Sequence, residues 1–273
     1  MFKKVISYAG LATIIAGSLK VLYDTNIFKV NYVKIETDKL HPQTALTILH
    51  LTDIHNKNFG ENNQQLIKKI KQLNPDVIVI TGDLIDRKTT DFSGMFYLVE
   101  QLKSICEKLY FVSGNHEWGH EHTKDLFKGL EARKIYILDN TNQTVAINEN
   151  IINIAGVADY ATCHEDINAA LNQVQQDEKY TILLSHAPDI INEISNEPID
   201  LILSGHTHGG QIRLPFIGAL VAPDQGRFPT LDKGLFVRGE DKYLYIDSGL
   251  GTTKMPIRFF NQSQLSLITI VGK

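Results

Sequence analysis

The sequence predicts an α/β fold: a four-layer αββα sandwich of two mixed β-sheets flanked by helices, plus an N-terminal membrane helix. Three observations carry this prediction. Runs such as Val77-Ile78-Val79-Ile80 and Ile182-Leu183-Leu184 are continuously apolar, as in parallel strands covered on both faces, rather than alternating. Between residues 46 and 138 such runs alternate with amphipathic helical stretches, while the last third is strand-rich and punctuated by turns, so βα units and hairpins share one domain. The first residues follow neither pattern.

That N-terminus begins with the basic head Met1-Phe2-Lys3-Lys4, followed by Val5 to Leu19 without a formal charge and, past Lys20, by Val21-Leu22-Tyr23. With Lys20 snorkelling, residues 1–23 approach membrane length and read as an uncleaved signal-anchor. A signal cleaved near Ala16-Gly17-Ser18 and a terminal helix packed on the domain are the competing readings. Lys3 and Lys4 favour an inside N-terminus, hence a single-pass protein of the cell membrane with its domain outside the cytoplasm; Lys20, Lys29 and Lys34 oppose that orientation.

Residues 24–45 read as a polar stalk with a first edge strand over Asn31–Ile35, and residues 46–273 as the main domain. Leu46–Thr52 is a strand; Asn62–Leu73 is a helix with Leu66, Ile70 and Leu73 on one face, stopped by Asn74-Pro75. Strand Val77–Ile80, a helix over Ser93–Glu107, strand Leu109–Val112, a helix over Thr123–Ala132 and strand Ile135–Leu138 continue the alternation. Thr144–Asn148 and Ile151–Ala155 form a hairpin about Glu149-Asn150, and a helix is expected over Glu165–Gln176. Strands then lead to His186 and His206, followed by strands near Gln211–Leu214, Gly234–Arg238, Tyr243–Asp247 and Leu265–Val271.

Charged residues make up 21% of the chain and hydrophobic ones 43%, which excludes a disordered chain. A formal net charge of −4 without a basic stripe excludes nucleic acid as an obligate partner. Cys106 and Cys163 form no CxxC pair, and a single bridge between them stays open.

Five polar clusters stand where apolar runs stop: Asp53-Ile54-His55, Gly82-Asp83-Leu84-Ile85-Asp86, Gly114-Asn115-His116-Glu117, His186, and Gly205-His206-Thr207-His208-Gly209-Gly210. Each alone has a bland reading, because Gly-Asp is common in turns and a lone histidine is usually structural. Together they offer oxygen and imidazole donors and no thiolate, at the strand ends where open α/β sheets bind ligands. The set points to a metal centre holding two divalent ions.

These residues resemble the calcineurin-like metallophosphoesterase family, whose ordered pattern is D-x-H, G-D-x-x-D, G-N-H-[DE], a later H and G-H-x-H. Gly209-Gly210-Gln211 and Ser248-Gly249-Leu250-Gly251-Thr252-Thr253 look like its bacterial, membrane-anchored phosphodiesterase branch, although Ser263-Gln264 stands where that branch often has Pro-Glu. The resemblance implies that Asp53, His55 and His208 bind one metal, that Asn115, His186 and His206 bind the other, and that Asp83 bridges them. It implies a phosphodiesterase acting on membrane or cell-envelope phosphoesters through a hydroxide bridging Mn²⁺, Fe or Zn²⁺ ions. Alternatives are a cytoplasm-facing hydrolase of a nucleotide-linked lipid pyrophosphate, or a non-catalytic scaffold with the same fold. A monomer is expected.

His116 is the candidate general acid for the leaving group. Glu117 either orients it or is simply an acid favoured at a helix N-terminus. Asp86 is placed to support a neighbouring ligand. Arg213 and Arg258 are candidates for a substrate phosphate or for surface salt bridges. His120 and His122 read as loop residues, Asp159 and His164 as turn and cap residues, and Phe259-Phe260 as core. The loop Pro215–Pro229 is where specificity would lie.

Overall fold

Apolar runs with no polar face must be covered on both sides, and that requirement organises the chain into two six-stranded sheets packed face to face. A computed structural model describes residues 2–174, 179–253 and 255–273, without the side chains of residues 2–7 and 9. In chain order, α1 (Phe2–Asn26) precedes β1 (Lys29–Thr37), β2 (Ala45–Leu51), α2 (Gln64–Leu73), β3 (Val77–Thr81), α3 (Ser93–Ile105) and β4 (Leu109–Val112). The single turn α4 (Asn115–Trp118), α5 (Thr123–Ala132) and β5 (Tyr136–Ile137) follow. The hairpin β6 (Thr141–Ile147) and β7 (Asn150–Gly156) leads to α6 (Ile167–Ala170), β8 (Tyr180–Leu184) and β9 (Leu201–Ser204). Two small hairpins, β10 (Arg213–Leu214) with β11 (Gly218–Ala219) and β12 (Val221–Ala222) with β13 (Gly226–Arg227), precede β14 (Gly234–Gly239), β15 (Lys242–Ile246) and β16 (Gln264–Gly272).

The first sheet has the order β1-β16-β2-β3-β4-β5 and the second β14-β15-β9-β8-β7-β6. Strands β2 to β5 run parallel, as do β7, β8, β9 and β15; β16 enters the first sheet antiparallel to β2. Side chains alternate across each strand, so one sheet feeds two cores. Ile48, Val79 and Val112 meet Ile154, Ile182 and Leu203 between the sheets. Leu49, Ile78 and Ile80 face Leu66, Ile70, Leu98 and Leu102 of α2 and α3.

The other outer face differs from expectation. The helix predicted over Glu165–Gln176 shrinks to the four residues of α6, its last two predicted residues lying outside the described ones. Asn142 Nδ2 donates to the carbonyls of Ala170 (2.8 Å) and Asn172 (2.9 Å), which takes up the acceptors a continuing helix would use. Among the described residues, the second sheet is therefore covered by α6, the 3₁₀ turn Pro188–Glu193 and loops rather than by long helices.

At the N-terminus the membrane-spanning reading of residues 1–23 is not supported: among the described residues, no helix is long and apolar enough to cross a membrane. The basic head lies outside the residues whose side chains are described. Helix α1 continues beyond Tyr23, and its last turn docks on the domain. Asp24 is fully buried, pairs with Lys20 (2.6 Å) and accepts from the Ser263 amide through its carbonyl (2.8 Å), while Thr25 Oγ1 accepts from the Arg258 amide (2.9 Å). Upstream, Tyr8, Leu11, Ile14, Ile15, Leu19 and Leu22 are all exposed. The edge strand extends past the predicted Asn31–Ile35 to all of β1, paired in parallel with β16 from Lys29↔Gln264 to Thr37↔Gly272. Cys106 is buried, Cys163 is exposed, and both are free thiols.

Candidate metal centre

Strands β2, β3, β4, β8 and β9 end on the same side of the sandwich, and the five polar clusters follow them directly. The chain turns there under strain. Asp53 (φ 49°), His55 (46°), Asp83 (52°), His206 (67°) and His208 (51°) all occupy the left-handed region, at a cost of order 1 kcal/mol each. Backbone bonds between the loops hold them: Asp53 N donates to Gly82 O (3.1 Å), His55 N to Asp83 O (3.0 Å) and Gly251 N to Asp53 O (2.6 Å). Only glycine suits position 82, where φ is 81° and a Cβ would fall 2.7 Å from both the Gly114 amide nitrogen and His186 Nδ1.

One donor group is Asp53, His55, Asp83 and His208, all buried. His55 Nε2 lies 3.3 Å from His208 Nε2 and 3.5 Å from Asp83 Oδ2, and His208 Nε2 lies 3.3 Å from Asp53 Oδ1. Asp53 is itself fixed by the His206 amide (3.0 Å) and the Thr52 hydroxyl (2.9 Å).

A second group surrounds His186. Its Nε2 lies 3.2 Å from Asn115 Oδ1, 3.1 Å from His206 Nδ1 and 3.3 Å from Asp83 Oδ2. His186 Nδ1 faces the Thr81 carbonyl at 2.8 Å, which can only accept, so a proton stays on Nδ1 and Nε2 is the inward atom that a metal would claim. His206 Nε2 meets Asp224 Oδ2 at 2.6 Å, which turns its Nδ1 inward by the same logic.

Inward-facing imidazole nitrogens beside carboxylates repel one another unless a proton or a cation lies between them. Burial lowers the His186 pKa, but Asp83, by charge and hydrogen bond, together with Asp53 and Asp159 outweighs it, and the balance lies well above the usual range. Burial and the charge of His55 hold His208 well below that range. The Asp, His and Asn donors fit a hard-to-borderline divalent ion, and Asp83 Oδ2 reaches both groups.

His116 and Glu117 are consecutive and do different things. The His116 side chain is 18% exposed, with Nδ1 3.4 Å from Asp86 Oδ1 and Nε2 4.0 Å from Asp83 Oδ2. Glu117 does not touch the His116 ring, which corrects the expectation that it orients it. Fully buried, it accepts from the amides of Asp83 (2.8 Å), Gly114 (2.8 Å), Leu84 (2.8 Å) and Ile85 (3.2 Å). Burial, with Asp83 nearby, pushes its carboxyl up to about 8 against the pull of those amides. Asp86 takes the supporting role, with Oδ1 also 3.0 Å from His55 Nδ1.

Neither arginine reads as a phosphate ligand. Arg258 is fully buried and donates to Gly251 O (2.9 Å) and Ser248 O (2.6 Å), and Arg213 pairs with Asp232. Phe260 is 45% exposed rather than core. His120 bonds the Thr89 carbonyl, His164 stacks on Trp118, and Asp159 precedes a 3₁₀ turn, so these remain structural. Asp224 is the residue that sequence reasoning passed over; its loop has neither periodicity nor a motif.

The family model described as calcineurin-like phosphoesterase matches residues 46–210. The uncharacterized metallophosphoesterase YkoQ of Bacillus subtilis (strain 168) is 32% identical over 248 residues, covering 89% of this chain and 90% of the relative. YkuE of the same organism, also an uncharacterized metallophosphoesterase, is 31% identical over 84% of this chain and 80% of its own. Among solved structures, the sulfate thiohydrolase SoxB of Thermus thermophilus superposes with a TM-score of 0.51 at 12% identity, over 85% of this chain and 58% of that one, a likeness of fold.

Proposed function

The chain belongs to the calcineurin-like phosphoesterase family, and from that premise we propose that it hydrolyses phosphodiesters at a centre for two divalent metal ions. The observation that carries this reading is the position of Asp83 Oδ2, 3.5 Å from His55 Nε2 in one donor group and 3.3 Å from His186 Nε2 in the other. Asp53, His55 and His208 would hold one ion, and Asn115, His186 and His206 the other, with Asp83 shared. Bound there, the ions would supply Lewis acidity and make water a nucleophile near neutral pH.

The protein supplies the rest. His116, at the open rim, holds a proton for the departing alcohol, and Asp86 fixes its ring. Glu117 and the strained loops hold the donors in place before substrate arrives. The diester preference is supported by the arginines: Arg213 and Arg258 both have protein partners, so neither guanidinium offsets the second charge of a monoester. Donors of this mixture accept Mn²⁺, Fe or Zn²⁺. The exposed apolar side chains of α1 support attachment to a membrane surface, where envelope phosphoesters would be within reach.

The test is hydrolysis of bis(4-nitrophenyl) phosphate against 4-nitrophenyl phosphate by the purified full chain with added Mn²⁺. Turnover of the diester should dominate, vanish with chelator, and be lost in Asn115→Ala. Chelator-resistant turnover, or a preference for the monoester, overturns the reading.

A further inference from the structure

A cavity of about 360 Å³ opens beside the second donor group, lined by Tyr160, Glu165, Ala187, Asp189, Glu193 and Asp224 among others. Two of its walls belong to the centre. Ala187 follows His186 in the chain, and Asp224 bonds His206 Nε2 at 2.6 Å. A group attached to a phosphoryl at the centre therefore has this cavity as its neighbour. The volume suits a small-molecule moiety.

Its lining is one-sided. Four carboxylates face one space that, among the described residues, no lysine, arginine or histidine lines. Glu165 Oε2 and Asp189 Oδ2 are buried and have no hydrogen-bond partner among the described residues. Unpaired buried carboxylate oxygens are costly, and a cationic occupant would remove that cost. The other Asp189 oxygen accepts from Gln225 Nε2 at 2.5 Å, which ties the Asp224 loop to this wall. Tyr160 adds an aromatic ring, and its hydroxyl is engaged with Glu193 Oε1 at 3.3 Å.

We propose that this cavity receives the alcohol portion of the phosphodiester and selects one bearing an ammonium group, held by Glu165, Asp189 and Asp224 against the Tyr160 ring. The assignment rests on the phosphodiesterase reading of the neighbouring centre, so binding and hydrolysis are tested separately.

In the binding arm, choline is titrated calorimetrically into the metal-free full chain against 3,3-dimethylbutanol, its uncharged isostere. Choline should bind on the order of tenfold more tightly, a difference of about 1.4 kcal/mol. Glu165→Gln and Asp189→Asn, which keep the side-chain shapes, should each remove most of that margin. Equal binding of the two alcohols, or a margin unchanged in both variants, overturns the proposal whatever the enzyme hydrolyses. In the catalytic arm, the 4-nitrophenyl phosphodiesters of the same two alcohols are compared, and the cationic ester should have the lower KM with a similar kcat. If neither ester is cleaved although choline binds, the phosphodiesterase reading fails while the cation site stands.

Discussion

His116 and Glu117 are adjacent in the chain yet belong to different parts of the centre. Glu117 is in its floor, with Asp53, Asp83, His186 and Arg258, where side chains are buried and bonded to backbone or to each other. His116 is in its rim, with Asp86 and Asp224, whose side chains are 18%, 46% and 60% exposed. The floor positions donors against strained loops, and the rim meets substrate and solvent. Damage to the floor should therefore appear as lost stability and lost metal together, whereas damage to the rim should change rates in a protein that remains folded.

Glu117→Ala should have the largest effect. Four backbone amides lose their acceptor, and each unsatisfied buried group costs about 1–3 kcal/mol. Partial access of water would still leave a loss of at least about 3 kcal/mol, a fall in Tm on the order of 10 °C. The Asp83 loop would lose its support, so metal content and turnover should fall in the same sample. Thermal denaturation with elemental analysis checks this; a stable, metal-replete variant would erase the distinction between floor and rim.

His116→Ala should do the reverse. Against an alkyl leaving group kcat should fall by about 10²–10⁴ with Tm and metal content unchanged. With a 4-nitrophenyl leaving group the loss should shrink, because that phenolate departs without a proton. An equal loss for both leaving groups would remove His116 as the acid. Asp86→Asn should follow with a loss of about 10–100-fold, since Asp86 acts through His55 and His116 rather than on substrate. The same leaving-group series should show a smaller version of the His116 pattern.

Floor and rim were each partly legible in the sequence, for physical reasons. Asp53, His55, Asp83, Asn115, His186, His206 and His208 were readable because metal-type donors at strand ends are unusual in residue type and place. The strands before them were readable because parallel strands buried on both faces are continuously apolar. The role of Glu117 was hidden, since its partners are amides of Asp83, Leu84 and Ile85, more than thirty positions earlier, and backbone donors leave no mark in composition. Arg258 was misread for the same reason: it binds carbonyls, and a buried arginine looks like a surface one until its partners are known. The shortened α6 depended on Asn142, a strand residue about thirty positions away.

Asp224 tests where the rim ends, because it is the most exposed of the three rim carboxyl and imidazole groups and yet bonds a floor histidine at 2.6 Å. Its bond to His206 draws its own carboxyl below the usual range, as expected of a partner that shares the imidazole proton. Were the carboxylate buried, replacing it would weaken metal binding by about 10–100-fold. Solvent screens it here, and water can take over the bond to Nε2, so Asp224→Asn should weaken one metal by less than about tenfold. The other metal, held by Asp53, His55 and His208, should keep its affinity. Titration of Mn²⁺ into metal-free protein resolves the two sites, and equal weakening of both would mean that Asp224 supports the whole floor rather than the His206 ring alone.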